Sequence, residues 1–213
     1  MGPGPPRTTR VVLRDGRVAL VGPLQPTDRE RYLAGLERAS PDSIFKRFMT
    51  PIVRLSEAQL RYLIDVDHTD HEAFLAIDED SGTAVAVARF VRADPGSETA
   101  EAAVIVIDDW QGNGLGKALS VMLAERAREL GVASFEATLL LENRAMMGLL
   151  ESLGRVRTIG REGAAVVVTL ELPDAGIGDP LAGVLRVAAS GEVEVMPETA
   201  ELGFPPNVPH PHL

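Results

Sequence analysis

The sequence has no cysteine. That excludes disulfides, a thiolate nucleophile and any cysteine metal site. Its four histidines are scattered, two of them (His210 and His212) in a proline-rich tail, so nothing resembles zinc-ligand spacing and no metal is expected. Lysine is almost missing: Lys46 and Lys117 are the only two. Acidic residues outnumber basic ones, with a net charge of −10, and an acidic chain is a poor nonspecific binder of nucleic acid. No apolar run approaches the roughly 18 residues of a membrane-crossing helix. The opening MGPGPPRTTR lacks the apolar core of a secretory signal. A cytoplasmic protein with no nucleic-acid or membrane partner is the expectation.

What is present fits one medium domain with an appendage: 213 residues, 45% of them hydrophobic. Boundaries are expected at 1–9 (flexible), 10–172 (the domain) and 173–213 (an appendage with one short helix, PLAGVLRVAA, and a Pro-rich tail). RVVLRDGRVALVGP reads as a hairpin turning at Asp15-Gly16. Three helices follow, capped at Thr27, started by Pro41 and capped at Ser56. HEAFLAI, TAVAVARFV and TAEAAVIVI read as strands with short turns between them, hence an antiparallel meander. A helix from Gly114 to Glu129 repeats apolar residues every three to four positions. The strand FEATLLL then returns after a crossover. A helix capped by Asn143 and a hairpin around Glu162-Gly163 complete the domain. The fold class is α/β with a mixed, mostly antiparallel sheet flanked by helices.

Chemistry concentrates in DDWQGNGLGKAL, from Asp108 to Leu119. Gly112, Gly114 and Gly116 are spaced by two, which is not the G-x-G-x-x-G of a dinucleotide fold. Gly116-Lys117 is followed by Ala118, so the hydroxyl of a nucleotide-triphosphate loop is absent. Glycines at a helix mouth let the backbone approach a ligand and aim unpaired N–H groups at it, with the helix dipole adding positive potential. That describes a site for a pyrophosphate. A tight strand–helix turn using glycine for packing alone is the other reading of the glycines by themselves.

The flanks favour the ligand. Gln111-Gly112-Asn113-Gly114-Leu115-Gly116, after a strand and opening a helix, resembles the Q/R-x-x-G-x-G/A acetyl-CoA motif of the GNAT superfamily of N-acetyltransferases. VIVIDDWQGNGLGKAL and ENRAMMGLLESLG are similar to that family's strand–loop–helix and its asparagine-capped helix. The resemblance covers about residues 10–172. It implies the GNAT fold, with a splayed acetyl-CoA wedge between the family's fourth and fifth strands. It also implies acetyl-CoA as co-substrate. Backbone groups of Val104, Ile105 and Val106 would pair with the pantetheine arm, and Gln111 to Lys117 would cradle the pyrophosphate. Asn143 would hold the pantetheine arm or simply cap its helix.

Glu101 is the candidate base. It sits in an otherwise apolar strand, a costly place for a carboxylate without a partner or a task, and the resemblance puts a glutamate near the start of this strand. The edge of the sheet is its alternative setting. The chain departs from the family at Leu150, where a tyrosine commonly protonates the departing sulfur. It departs again at Asp108, where proline is common, and at Arg155, where phenylalanine follows the glycine. SPDSIFKRFM, DVDHTDHEAFLAI and VARFVR are similar to the catalytic domain of bacterial protein-lysine acetyltransferases of the Pat type, which act on acetyl-CoA synthetase and related ligases. Several of those carry a regulatory domain; fewer than ten residues precede the first hairpin here, so a separate regulator or the appendage is expected.

The resemblance therefore implies acetyl transfer to a primary amine, a lysine ε-amine on a protein such as acetyl-CoA synthetase. A small-molecule amine acceptor, or an acyl-CoA sensor without catalysis, shares the same motifs. Two other clusters carry open readings. Asp65, Asp67, His68, Asp70 and His71 form either a turn or part of the acceptor site. Arg47 and Phe48 either wall the acceptor site or pack a helix. Oligomeric state and acyl-chain preference are open.

Overall fold

The computed structural model describes residues 7–48, 55–173 and 194–197. The hairpin forms as expected, from β1 (Thr9–Val12) and β2 (Val18–Pro23), with Gly16 at φ +85° in the turn. Then come α1 (Arg29–Arg38), α2 (Pro41–Phe48), α3 (Glu57–Ile64), β3 (His71–Asp78), β4 (Ala84–Arg92), β5 (Thr99–Val106), α4 (Leu115–Glu129), β6 (Ser134–Leu140), α5 (Arg144–Leu153), β7 (Arg155–Glu162) and β8 (Ala165–Glu171). β9 (Glu194–Pro197) comes from the appendage. The strands make one sheet in the order β7-β8-β6-β5-β4-β3-β2-β1-β9. Every pairing is antiparallel except β5 with β6. That single parallel step follows from α4, which carries the chain back across the sheet between the two strands.

β3 and β4 are apolar on both faces because helices cover both. Leu119, Leu123 and Ala127 of α4 pack one face, against Phe74, Phe90 and Phe135. Tyr32 of α1 and Leu60 and Leu63 of α3 pack the other, against Leu75, Ile77 and Val87. Strands buried on two sides read as continuous apolar runs, as HEAFLAI and TAVAVARFV do.

Two local expectations change. Thr27 does not cap a helix. Pro26–Asp28 form a single tight turn, the Gln25 N–H donates to Asp28 Oδ2 at 3.0 Å, and α1 starts at Arg29, one residue later than a cap at Thr27 would give. Buried Asp28 is held there by Arg31 at 3.2 Å. The appendage also adds β9 to the free edge of β1, which polar sequence around GEVEVMP did not announce. The helix expected at PLAGVLRVAA lies outside the described residues.

Candidate active site

β5 and β6 pair over only three positions, Thr99 with Ser134, Ala100 with Phe135 and Glu101 with Glu136. Both strands run on for several residues, so beyond Glu101 they diverge and the β5 edge stays open. The Ile107 N–H donates to the Val85 carbonyl of β4 at 2.9 Å. Strand alternation then turns the Ile105 backbone toward β4 as well, and those of Val104 and Val106 toward the gap. Val104 thus offers its N–H and carbonyl to the wedge, and Val106 its N–H, while the Val106 carbonyl accepts from Gln111 Nε2 at 2.9 Å. Ile105 does not: its register partner is Val87 and its side chain is buried with the second core cluster.

The loop after β5 is shaped by several devices. Asp108–Trp110 make one tight turn, with Trp110 buried and the Arg17 guanidinium 4.3 Å above its ring. Arg17 Nη2 also donates to the Asp109 carbonyl at 2.8 Å. Gly112 and Gly114 have φ of +77° and +94°, the left-handed region that side chains with a Cβ rarely enter. Gly114 is the residue before α4, so the first N–H groups of that helix, those of Leu115 and Gly116, have no partners within it. Asn113 Nδ2 donates to the Gln111 carbonyl at 3.2 Å, which closes the loop on itself. The Leu115 side chain is fully buried and anchors the helix mouth in the core. At Gly116 an added Cβ would come 3.6 Å from Val106 Cγ2, so the helix start lies close against β5.

Gln111 has a second task. Its Nε2 donates to the Val106 carbonyl at 2.9 Å and to Ser43 Oγ at 3.0 Å. Asp108 joins in by accepting from the Ser40 N–H at 2.8 Å, Ser40 Oγ at 2.7 Å and Ser43 Oγ at 3.2 Å. Burial works against its charge, but these donors hold its carboxyl below the usual range. Asp108 and Gln111 therefore pin the first turn of α2 to the glycine loop. A proline at 108, common in the family, has no side-chain acceptor for this purpose.

Where the strands part lies a cavity of about 330 Å³. Glu101, Ala103 and Val104 line it from β5, Lys46, Arg47 and Phe48 from α2, and Asn143, Met146 and Leu150 from α5. Asn143 Oδ1 accepts from the Met146 N–H at 3.1 Å; it caps α5 and lines the cavity at once. Leu150 is 7% exposed and makes this wall apolar. Lys46 donates to Asp42 at 2.6 Å, and that bond raises its pKa above the usual range. Arg47 goes the other way: dehydration, and then the like charge of Arg89, lower it to about 10.

Glu101 is exposed. The penalty expected for a carboxylate inside an apolar strand is not incurred, because this part of β5 faces the open side of the cavity. Its register partner Glu136 leaves the sheet on the same face. Sequence reading passed over Glu136: the alternation in FEATLLL hints at a polar face, but the register to residues 35 positions earlier is not legible.

The polar knot before β3 is a turn. Asp67 Oδ1 accepts from the N–H groups of Thr69, Asp70 and His71 and from Thr69 Oγ1, at 2.8–3.0 Å. Asp70 pairs with Arg92 at 3.0 Å. Glu72, fully buried and also unremarked in the sequence, joins His68 Nδ1 at 2.7 Å to Arg126 Nε of α4 at 2.9 Å. No group of residues that could hold a metal ion occurs among the described residues, and none of their helices is long and apolar enough to cross a membrane.

Comparison with known proteins agrees with this geometry. The model of the acetyltransferase (GNAT) family matches residues 41–154. The acetyltransferase Pat of Mycolicibacterium smegmatis is 36% identical over 159 residues, which is 75% of this chain and 47% of that protein. Acetyltransferase PA5475 of Pseudomonas aeruginosa is 35% identical over 146 residues, 68% of this chain and 78% of that one. The chain thus spans about half the length of the first relative. Among solved structures, the GNAT domain of S. lividans PAT superposes with a TM-score of 0.71 at 30% identity, covering 78% of this chain and 97% of that one. A mixed sheet splayed at one parallel step, a glycine loop opening a helix at the splay, and these matches together establish that the chain belongs to the GNAT family of acetyltransferases.

Proposed function

We propose that this protein transfers the acetyl group of acetyl-CoA to a protein lysine ε-amine, such as one on an acyl-CoA synthetase, within a ternary complex. The observation that carries the reading is the end of β5–β6 pairing at Glu101, which leaves a carboxylate among the residues lining the cavity between the two strands. Val104 and Val106 pair with the pantetheine arm. Gln111, Gly112, Asn113, Gly114, Leu115, Gly116 and Lys117 hold the pyrophosphate through backbone N–H groups and the dipole of α4. Asn143 stands beside the arm while capping its helix.

The amine nitrogen attacks the thioester carbon. Backbone N–H groups on the open β5 edge stabilise the oxyanion that forms. Glu101 takes the ammonium or amine proton, directly or through a water. The C–S bond breaks and CoA leaves as the thiolate, or takes its proton from water, since Leu150 supplies none. The step requires no metal. The exposure of Glu101 supports a lysine on another protein over a small enclosed amine, and so does the Pat-like sequence of α2 and β3.

Labelled acetyl-CoA, a purified acetyl-CoA synthetase and a panel of free amines test this. Incorporation at one synthetase lysine is expected. Glu101→Gln should leave the acetyl-CoA Kd unchanged and lower turnover by about 10²–10⁴-fold. Transfer only to free amines would move the acceptor to small molecules. Tight acetyl-CoA binding without transfer would make the protein a sensor.

A further inference from the structure

The acceptor side of the cavity holds positive charge that the described residues do not neutralise. Elsewhere the fold pairs its buried arginines with carboxylates. The side chains of Arg31, Arg92 and Arg126 are 4–7% exposed and meet Asp28, Asp70 and Glu72 at 3.2, 3.0 and 2.9 Å. Arg89 of β4 is as deeply placed, at 4% exposure. It has no ion pair among the described residues. Its guanidinium donates to His71 Nε2 and to Tyr32 Oη, each at 3.3 Å, and neither partner is a carboxylate. His71 stays neutral because burial and Arg89 itself depress its pKa to about 4.

Arg47 adds a second guanidinium. It lines the cavity from α2, as Glu101 does from β5, and lies 4.8 Å over the ring of Phe48. No hydrogen bond or ion pair among the described residues engages it. Arg89 acts on it as a like charge, and the fields of Tyr32, Glu101 and Tyr62 oppose that effect. The segment 49–54 that joins α2 to α3 carries no acidic residue. A fully buried guanidinium beside a half-buried one is costly unless an anion completes them.

We infer that Arg47, backed by Arg89, recognises a carboxylate carried by the acceptor beside its reactive amine, so that acidic residues flanking the acceptor lysine are preferred. The inference rests on the acetyltransferase reading above. The phosphates of acetyl-CoA do not fill this role, because the glycine loop that would hold them lies at the other end of β5. A planar guanidinium grips a carboxylate through two parallel hydrogen bonds. Glu101 then receives the amine while Arg47 receives the neighbouring anion. Arg89 is a positioning residue: its charge, fixed by His71 and Tyr32, turns Arg47 toward the cavity.

The experiment compares single-lysine peptides that differ only in Asp or Glu against Asn or Gln beside the lysine. Free lysine and lysinamide serve as the small-molecule pair. Wild type should favour the carboxylate-bearing member by about 10–100-fold in kcat/KM. Arg47→Gln should bring the ratio close to one while the acetyl-CoA Kd is unchanged, and Arg47→Lys should keep part of it. Equal rates in wild type, or a ratio preserved in Arg47→Gln, would overturn the inference and leave the acetyltransferase reading standing. Preference within the free-amine pair alone would support the anion site and overturn the protein acceptor. Absence of transfer to every acceptor would overturn both.

Discussion

Acidification should destabilise this fold through one histidine before most carboxylates respond. His71 begins β3 and is 8% exposed. Its Nε2 faces Arg89 Nη1 at 3.3 Å, so this nitrogen must keep its lone pair to accept the bond. Protonation would set two N–H donors and two positive charges against each other in a dehydrated site. Burial first, and Arg89 second, lower the folded-state pKa from 6.5 to about 4. The unfolded chain keeps the ordinary value. The unfolded state therefore binds more protons between pH 6.5 and 4, and stability falls as pH drops through that window. Above pH 6.5 the effect is absent, and below about 4 it levels off. One proton contributes up to about 1.4 kcal/mol per pH unit. Between pH 7.5 and 4.5, with allowance for solvent at the edge of the site, the loss is about 2 kcal/mol, or roughly 4–8 °C in Tm.

Urea unfolding of wild type and His71→Gln at pH 7.5, 6.0, 5.0 and 4.5 isolates this contribution. Glutamine can still offer Arg89 an oxygen but does not titrate. The variant carries a constant offset, and the carboxylates cancel between the two curves. Wild type should lose about 2 kcal/mol more than the variant over the range. Parallel curves would mean that His71 accepts its proton without penalty, and the neutral-imidazole account of Arg89 would fail.

Two further predictions concern the glycine loop and its brace. Asp108→Ala removes the acceptor for Ser40 and Ser43; it should lower stability by about 1–2 kcal/mol in urea unfolding and raise KM for the acceptor more than for acetyl-CoA. An unchanged unfolding midpoint would show that α2 does not depend on this brace. Gly114→Val puts a β-branched residue at φ +94°, strain of at least about 1–2 kcal/mol, and places a side chain in the cradle. Calorimetry should then find acetyl-CoA binding lost, and an unaltered Kd would overturn the pyrophosphate assignment.

Much of the scaffold was legible because local rules decide it. Asp15-Gly16 made a hairpin, Ser56 and Asn143 capped their helices, and the three-to-four spacing of Leu115, Leu119 and Leu123 gave α4 its buried face. The glycine loop could be read for the same reason: its left-handed positions and its place at a helix mouth are properties of a dozen consecutive residues. What the linear pattern missed are relations across the sheet. Glu101 looked buried because its strand neighbours are apolar, and only the divergence of β5 from β6 shows that this stretch faces open space. Glu136 stands beside it through a register between strands separated by a whole helix. The bonds from Asp108 to Ser40 and Ser43, and the isolation of Arg89 from any described carboxylate, depend on where α2 and α3 settle on the far face. Short-range sterics and periodicity are written in neighbouring residues, so the sequence by itself determined the elements and the loop. Burial, charge compensation and strand register are sums over residues far apart in the chain, so only the tertiary structure decided which side chains share the cavity.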